Sequence, residues 1–536
     1  MTGPGRGRQP LGDVGGNPLN PPGTRVGRAL EPPDPGAAGP AHPIRDMDGL
    51  STRYWRGRPP AAPGYGHPGR WFALACRSRV TFRSSRATQG RSGVGPRRAA
   101  AALAALLTVW GSGDAGAADT GAPYLGVADY FNQTAFHGTL RAYFFERAYS
   151  NDTILDQNAF SLGGYAGLVT APLYGFQAGL TLGAANSLGV NPKNPKQVDT
   201  TLPGDTVYVL TEGFLQWTHK YFLVRGPDQI LDTPWIMPSD SRMKPSAFRG
   251  FYGEAYPFAD FKPLEDISIV GVRVFDFNGR AEGDFTPTNL YIPGHAGGSP
   301  ITQLTGETVP GASAFAIKYG KKGSALNGQL WWHQFYNFSK LLWLDTNYIY
   351  KTHSGVDPLF GFQFAHQTGD GENTIALAGK GQAGTSQAYG VLAGVDTPYV
   401  RLTAAYNGIT SDPGAFANGD LLSPYSTGYS TDPLYTTQMI GGLIEKQSSG
   451  SAFKVAATSF FLDQQIKGIL SFARYYITPT SSYTADPAET NLDITYNFAK
   501  SSMLDGLSIR NRFGVMTGNI ADGHFYYERF QIQYQF

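Results

Sequence analysis

From Asp119 to the C-terminus, apolar and polar residues alternate with a period of two, and no helical period persists. The last ten residues, YERFQIQYQF, do this without error. Phe530, Ile532, Tyr534 and Phe536 share one face, and Arg529, Gln531, Gln533 and Gln535 the other. Leu140, Ala142 and Phe144 alternate with Arg141 and Tyr143, and Phe176, Ala178, Leu180 and Leu182 with Gln177, Gly179 and Thr181. Val270, Val272 and Val274 flank Gly271 and Arg273, while Phe315, Ile317 and Tyr319 oppose Lys318. Leu342, Leu344, Thr346, Tyr348 and Tyr350 oppose Asp345 and Asn347, and Phe360, Phe362 and Phe364 oppose Gly361 and Gln363. Val400-Leu402-Ala404-Tyr406 and Leu492-Ile494-Tyr496-Phe498 repeat the pattern. Strands apolar on one side and polar on the other suit lipid outside and water inside. Segments of about eight to twelve residues are long enough to cross a bilayer at a tilt.

The connections alternate too. Thr170–Leu173, Asp396–Pro398 and Leu462–Gln464 read as short turns; Ala184–Thr206, Gly226–Ala247, Asp276–Gly311, Gly408–Tyr435 and Ile477–Glu489 read as long loops. Short turns at one rim and long loops at the other are the rule of membrane barrels. About nineteen strands can be drawn, and single-chain bacterial barrels carry an even number. Thr436–Glu445 is the weakest segment, so the expectation is an all-β, antiparallel transmembrane barrel of eighteen strands over 119–536. A soluble sandwich or propeller is the competing class, but no blade-length repeat is present. Faces ending in Trp331, Trp332, Tyr348 and Tyr350 fit interfacial aromatic girdles.

Composition adds a division of the chain. The 33 Phe, 30 Tyr and 68 Gly suit girdles and tight turns better than helical cores. Of 43 basic and 41 acidic residues, 16 and 6 fall in residues 1–118, so the remainder holds 27 and 35, a net charge of −8. The whole-chain charge of +2 therefore says nothing about nucleic acid, which is not expected as a partner. The single cysteine, Cys76, also lies in the N-terminal part. Residues 1–93 are rich in Pro, Gly and Arg and read as a disordered or mis-annotated upstream extension. Residues 94–118 read as a secretory signal peptide, with Arg97-Arg98, the apolar run Ala99–Trp110 and a small-residue cleavage site at Ala115 and Ala117. Translation from Val94 or a nearby codon accounts for its position.

If the apolar set faces lipid, Arg141, Arg273, Lys318, Arg401, Arg510, Arg512 and Arg529 face the lumen. Basic rings in a pore favour anions and carboxylates. The loop Gly226–Ala247 carries Asp232, the run Asp240-Ser241-Arg242, and Pro234, Pro238 and Pro245, which stiffen it. Such a loop can fold into the bore and narrow it. An enzyme needs a nucleophile, base and orienter at one rim. No G-x-S-x-G, H-E-x-x-H, P-loop or cysteine-based metal pattern occurs, and no cofactor is expected. Asp232 and Asp240 are conceivable as an acid/base pair, and a plugged adhesive barrel is a third class.

Several stretches carry a resemblance. RGPDQILDTPWIMPSDSRMKPSAFRG is similar to the segment before and within the third external loop of OprD-family outer-membrane porins, where a D-S-R element sits. LRAYFFERAY, AFSLGGYAGLVTAPLYGFQAGLTLG and LDGLSIRNRFG resemble that family's first strand, its second and third strands, and its last hairpin. The closing strand, ending in Tyr534 and Phe536, resembles the assembly signal read by the barrel-assembly machinery. The resemblance implies a monomeric, substrate-selective channel in outer-membrane lipid, passing small carboxylate solutes through an eyelet narrowed by an inward loop. Asp240, Ser241 and Arg242 then match the D-S-R element, and the strand arginines match by position alone.

Overall fold

The structure, a computed structural model, describes residues 132–203, 206–286, 310–320, 324–352, 354–371, 385–421, 433–446, 448–520 and 523–536. The upstream extension, Cys76, the signal peptide with Ala115 and Ala117, and most of the loop foreseen over 276–311 lie outside the described residues. Eighteen strands follow in order. They are β1 (Ala135–Tyr149), β2 (Gln157–Val169), β3 (Phe176–Asn186), β4 (Val207–His219), β5 (Phe222–Gln229) and β6 (Ala247–Ala255). Next come β7 (Ile267–Asn278), β8 (Ala312–Tyr319), β9 (Leu326–Phe335), β10 (Ser339–Ile349), β11 (Asp357–Gly369) and β12 (Thr385–Asp396). The last are β13 (Val400–Ile409), β14 (Gly450–Phe461), β15 (Ile466–Ile477), β16 (Tyr483–Asn497), β17 (Leu507–Asn519) and β18 (Gly523–Gln535).

Each strand pairs antiparallel with its neighbours, and β1 closes the sheet on β18 from Thr139↔Gln535 to Tyr149↔Phe525. The seam is finished by Gly138 and Phe536, each of whose amides donates to the other's carbonyl at 3.0 and 3.2 Å. Closure leaves no sheet edge, which is what lets a sheet stand in lipid. Outward positions remain exposed and apolar, among them Phe144, Leu182, Leu215, Trp332, Phe360, Leu402, Leu470, Ile494 and Phe530.

The connections over 187–206, 230–246, 279–311 and 410–449 leave from the rim opposite the chain termini, as the length rule predicts. Thr436–Glu445 is loop, which settles the strand count at eighteen. The boundary of the last loop differs from expectation. The segment 478–482 is short, because β16 already begins at Tyr483 and absorbs Pro487 through a register shift between Tyr483 and Ala488.

The inner and outer faces are as foreseen except on β7 and β9. Val270, Val272 and Val274 point inward and are buried, so Arg273 lies on the outer face, in register with Phe251 and Ser313. Trp331 is likewise inward and buried, leaving Trp332 outside. The reason is that the lumen here is not water. Leu231, Trp235 and Ile236 of the 230–246 loop pack on Val270, Val272, Val274, Trp331 and Trp343. Where both faces of a strand are apolar, alternation no longer says which is which.

The 187–206 loop is fixed to the inner wall by one buried ion pair. Asp199 forms an ion pair with Arg147, Nε lying 2.7 Å from its carboxylate, and accepts from the Tyr527 hydroxyl at 2.8 Å, all three being buried. Removing one partner of a buried pair costs about 3–5 kcal/mol, because the other charge is stranded. Asp199→Ala should therefore release 187–206 to limited proteolysis while the refolded barrel keeps its strand content by circular dichroism. Unchanged protease resistance would show that the pair does not hold the loop.

Candidate functional site

Besides the 187–206 loop, two loops enter the lumen and meet the wall through dedicated anchors. In the 230–246 loop, Trp235 and Ser239 hold left-handed backbone (φ 66 and 44), a conformation costing about 1–2 kcal/mol for a residue with a Cβ. Burial compensates: Trp235 is sealed edge-on against Trp343, ring centroids 5.4 Å apart. His333 Nε2 on β9 lies 3.1 Å from the Pro234 carbonyl. Further along, Lys244 reaches Asn278 Oδ1 and donates to the Gly279 carbonyl at 2.5 Å. Burial drives its ammonium down to about 7, with Glu282 pulling it back up.

The D-S-R element divides its work. Asp240 takes Arg141 of β1 in both carboxylate oxygens, at 2.5 and 2.9 Å, and accepts from Tyr165 at 3.2 Å. Ser241 accepts from the buried Arg280. Arg242 is fully buried: it stacks on Phe145 at 4.5 Å and donates to Thr201 O and Oγ1, both at 3.0 Å. It ties 230–246 to 187–206 and does not face the open lumen.

The second inward segment is 433–446, within the 410–449 loop. Tyr435 donates to Asp345 at 3.0 Å and Asn347 at 3.2 Å on β10, seated over Gly361, where a Cβ would overlap its hydroxyl. The Thr436 amide donates to Asn407 at 3.0 Å. On the far side the Glu489 carboxylate of β16 collects the amides of Ile440 and Gly441 at 2.6 and 3.1 Å and the Asn491 side chain at 2.8 Å. Met243 of one loop, Leu202 of another and Met439 and Ile440 of the third close into a single apolar cluster over Tyr143 and Phe145.

Below this ceiling one wall of the lumen is basic. Around β13 to β1 run Arg401, Lys467, Arg510, Arg512, Arg529 and Arg141, all at inward positions. Three carboxylates answer them: Asp396 with Arg401 at 2.6 Å, Asp493 with Arg510 at 2.5 Å and Arg512 at 3.3 Å, and Asp240 with Arg141. Arg529 is buried on the Tyr527 ring at 4.1 Å and donates to the Met439 carbonyl at 3.3 Å. Arg401 and Arg510 keep 15% and 19% of their side-chain surface open. Across the bore, Lys318 is inward as foreseen and pairs with Glu254 at 2.7 Å.

Of the sequence candidates, then, Asp240, Arg401, Arg510 and Lys318 reach the accessible lumen or its edge, and Arg141 is buried behind Asp240. Ser241, Arg242, Arg512 and Arg529 are sealed, and Arg273 is outside. Sequence reasoning missed Lys467, Asp396, Asp493 and Glu489. Lys467 was legible by its alternation with Ile466 and Gly468; the carboxylates needed the register, which sets Asp396 against Arg401 and Asp493 against Arg512. Among the described residues, no group of three His, Cys, Asp or Glu side chains could hold a metal ion.

No protein-family model matches the chain, and neither does any curated protein sequence. Solved structures do. OccK9 (OpdG) of Pseudomonas aeruginosa superposes with a TM-score of 0.63 at 14% identity, over 76% of this chain and 99% of that one. OpdK of the same organism, solved with vanillate, gives 0.60 at 13% identity over 76% and 99%. A BenF-like porin from Pseudomonas fluorescens Pf-5 gives 0.59 at 13% over the same shares. The fold is thus that of an eighteen-stranded porin barrel. More narrowly, it is the fold shared by the OprD and OccK porins, the family that the third-loop and terminal-strand residues resemble.

Glu489 offers a direct test of the inward seat. Hydrogen bonds to a charged group are worth about 1.5–3 kcal/mol each. Glu489→Ala should loosen 433–446 and give larger or noisier single-channel current steps than wild type. Identical step size and noise would mean that this segment does not limit the bore.

Proposed function

We propose that this chain is a porin of the bacterial outer membrane that lets small carboxylate-bearing solutes diffuse passively through its lumen. Amino acids and organic or aromatic acids are the solute class. The observation that carries the reading is the wall from β13 to β1, where Arg141, Arg401, Lys467, Arg510, Arg512 and Arg529 outnumber the three carboxylates Asp240, Asp396 and Asp493 and leave an excess of positive charge. The other acid of that wall, Glu489, is occupied by loop amides. A cationic wall in a low-dielectric bore focuses field on passing anions. Arginine suits planar carboxylates better than lysine does, through its paired N–H donors. Vanillate in the OpdK structure is an aromatic carboxylate, which supports the same class here. The chain would act as a monomer without catalysis, and Tyr534 and Phe536 of the closing strand would present its assembly signal to the barrel-assembly machinery.

The test is single-channel conductance of the refolded protein in planar bilayers, with and without benzoate. Discrete steps partly blocked by benzoate are expected, and the preference should strengthen at low salt as screening falls. Arg401→Ala and Arg510→Ala should each weaken the block roughly tenfold, the value of about one charge-assisted hydrogen bond. Steps indifferent to benzoate in wild type, or block of both variants equal to that of wild type, would discard the carboxylate reading and keep the porin. A folded barrel that never conducts would favour a plugged structural role.

A further inference from the structure

Arg273 has no role in the lumen. It projects from the outer face of β7, toward the long-loop rim, in a lateral row set by register: Phe251, Arg273, Ser313, Gln334, Lys340 and Thr368. The next outward positions toward the other rim are Gly271, Phe315, Trp332 and Leu342, an apolar band. The row therefore lies where the apolar belt gives way to polar surface, the level of lipid headgroups.

Arg273 differs from the other outward cations. Arg249 is paired with Asp228 and Asp276, Lys340 with Asp370, and Arg474 with Asp486. Among the described residues Arg273 has no carboxylate within 4.0 Å. Its guanidinium is spread between the rings of Phe275 and Tyr336, at 4.5 and 4.7 Å. Nη1 donates to the carbonyls of Val274 and Ala312 at 2.7 and 3.1 Å, and Nη2 to Pro310 at 2.9 Å. Of its five N–H groups that leaves two, on Nε and Nη2, which form one edge of the fork. Nearby, the Tyr336 hydroxyl and Ser313 Oγ lie 2.8 Å apart and supply further polar contact. A guanidinium held at the edge of hydrocarbon without a counter-charge is costly, and its fixed two-donor edge matches two oxygens of a phosphate.

We propose that Arg273, with Tyr336 and Ser313 beside it, binds the phosphate of a lipid headgroup in the leaflet at the long-loop rim. The carbonyl contacts and the two rings fix the guanidinium, and its open edge takes the phosphate oxygens. The acyl chains then run down the apolar band below. This rests on the membrane reading but is independent of solute choice, because Arg273 does not reach the bore.

The experiment is native mass spectrometry of the full chain in detergent, titrated with bis-phosphorylated lipid A, with dephosphorylated lipid A, and with inorganic phosphate. Wild type should retain one more phosphorylated lipid than Arg273→Gln, at least tenfold more tightly, and should show no such preference for the dephosphorylated lipid. Arg273→Lys, which keeps charge but loses the fork, should fall between. Benzoate block and step size in bilayers should be the same in all three proteins, which separates failure here from failure of the pore reading. Equal lipid retention by wild type and Arg273→Gln overturns the site. Competition by inorganic phosphate at concentrations equal to the lipid overturns the lipid assignment.

Discussion

Everything in this molecule depends on the closure of β1 on β18. A backbone amide or carbonyl facing hydrocarbon has no water to bond, so a sheet can cross lipid only if its last strand finds its first. The chain achieves this with eleven register pairs and a reciprocal bond between Gly138 and Phe536. Once the ring is closed, the pleat decides the rest. Alternate residues must face lipid or lumen, and a shift of one residue anywhere would turn a whole strand inside out. The uninterrupted alternation of Phe530, Ile532, Tyr534 and Phe536 belongs to the strand on which closure depends.

An eighteen-stranded ring is wider than its own side chains can fill. The chain fills it with loops, and a loop in a lumen must satisfy its backbone just as a strand must. That is why the inward segments carry so many wall contacts: His333 beside the Pro234 carbonyl, Asn407 at the Thr436 amide, and Glu489 at two successive amides. Each anchor is a polar residue at an inward position of a strand. The lumen is consequently divided into a dry layer of loop side chains and an ionic layer beneath it. The boundary between them falls near Arg141 and Asp240, where loop and wall share one ion pair.

This division marks how far the sequence can be read. Strand number, the sense of most faces and the inward habit of 230–246 were all legible, because each follows from a local pattern of apolar and polar residues. The sidedness of Val270–Val274 was not. An inner wall that meets Trp235 and Ile236 is as apolar as one that meets lipid, and only the loop reveals which it is. The fates of Arg242 and Arg529 were hidden for the same reason. Both are inward or loop cations that the sequence cannot distinguish from solvated ones, yet each lies flat on Tyr527 or Phe145 beneath a ceiling built from distant segments. The pairing partners Asp396 and Asp493 needed register, which alternation alone does not supply.

The unequal pairing of the basic wall bears on how such a wall could select without trapping. A bare guanidinium in a narrow, weakly screened bore would hold a carboxylate too tightly for rapid release, and conduction requires sites that ions can leave. Arg401 and Arg510 already hold carboxylates of the protein, so an arriving anion gains only the difference between its own bonds and those it displaces or shares. That difference is small for any one pair. Across several neighbouring cations it still sums to a preference, because six positive groups cannot all be neutralised by Asp240, Asp396 and Asp493. Charge excess then sets which solutes enter, and the resident carboxylates set how quickly they depart. Lys467, half-buried between Arg401 and Arg510, adds to that excess without the planar fork that would lengthen the stay.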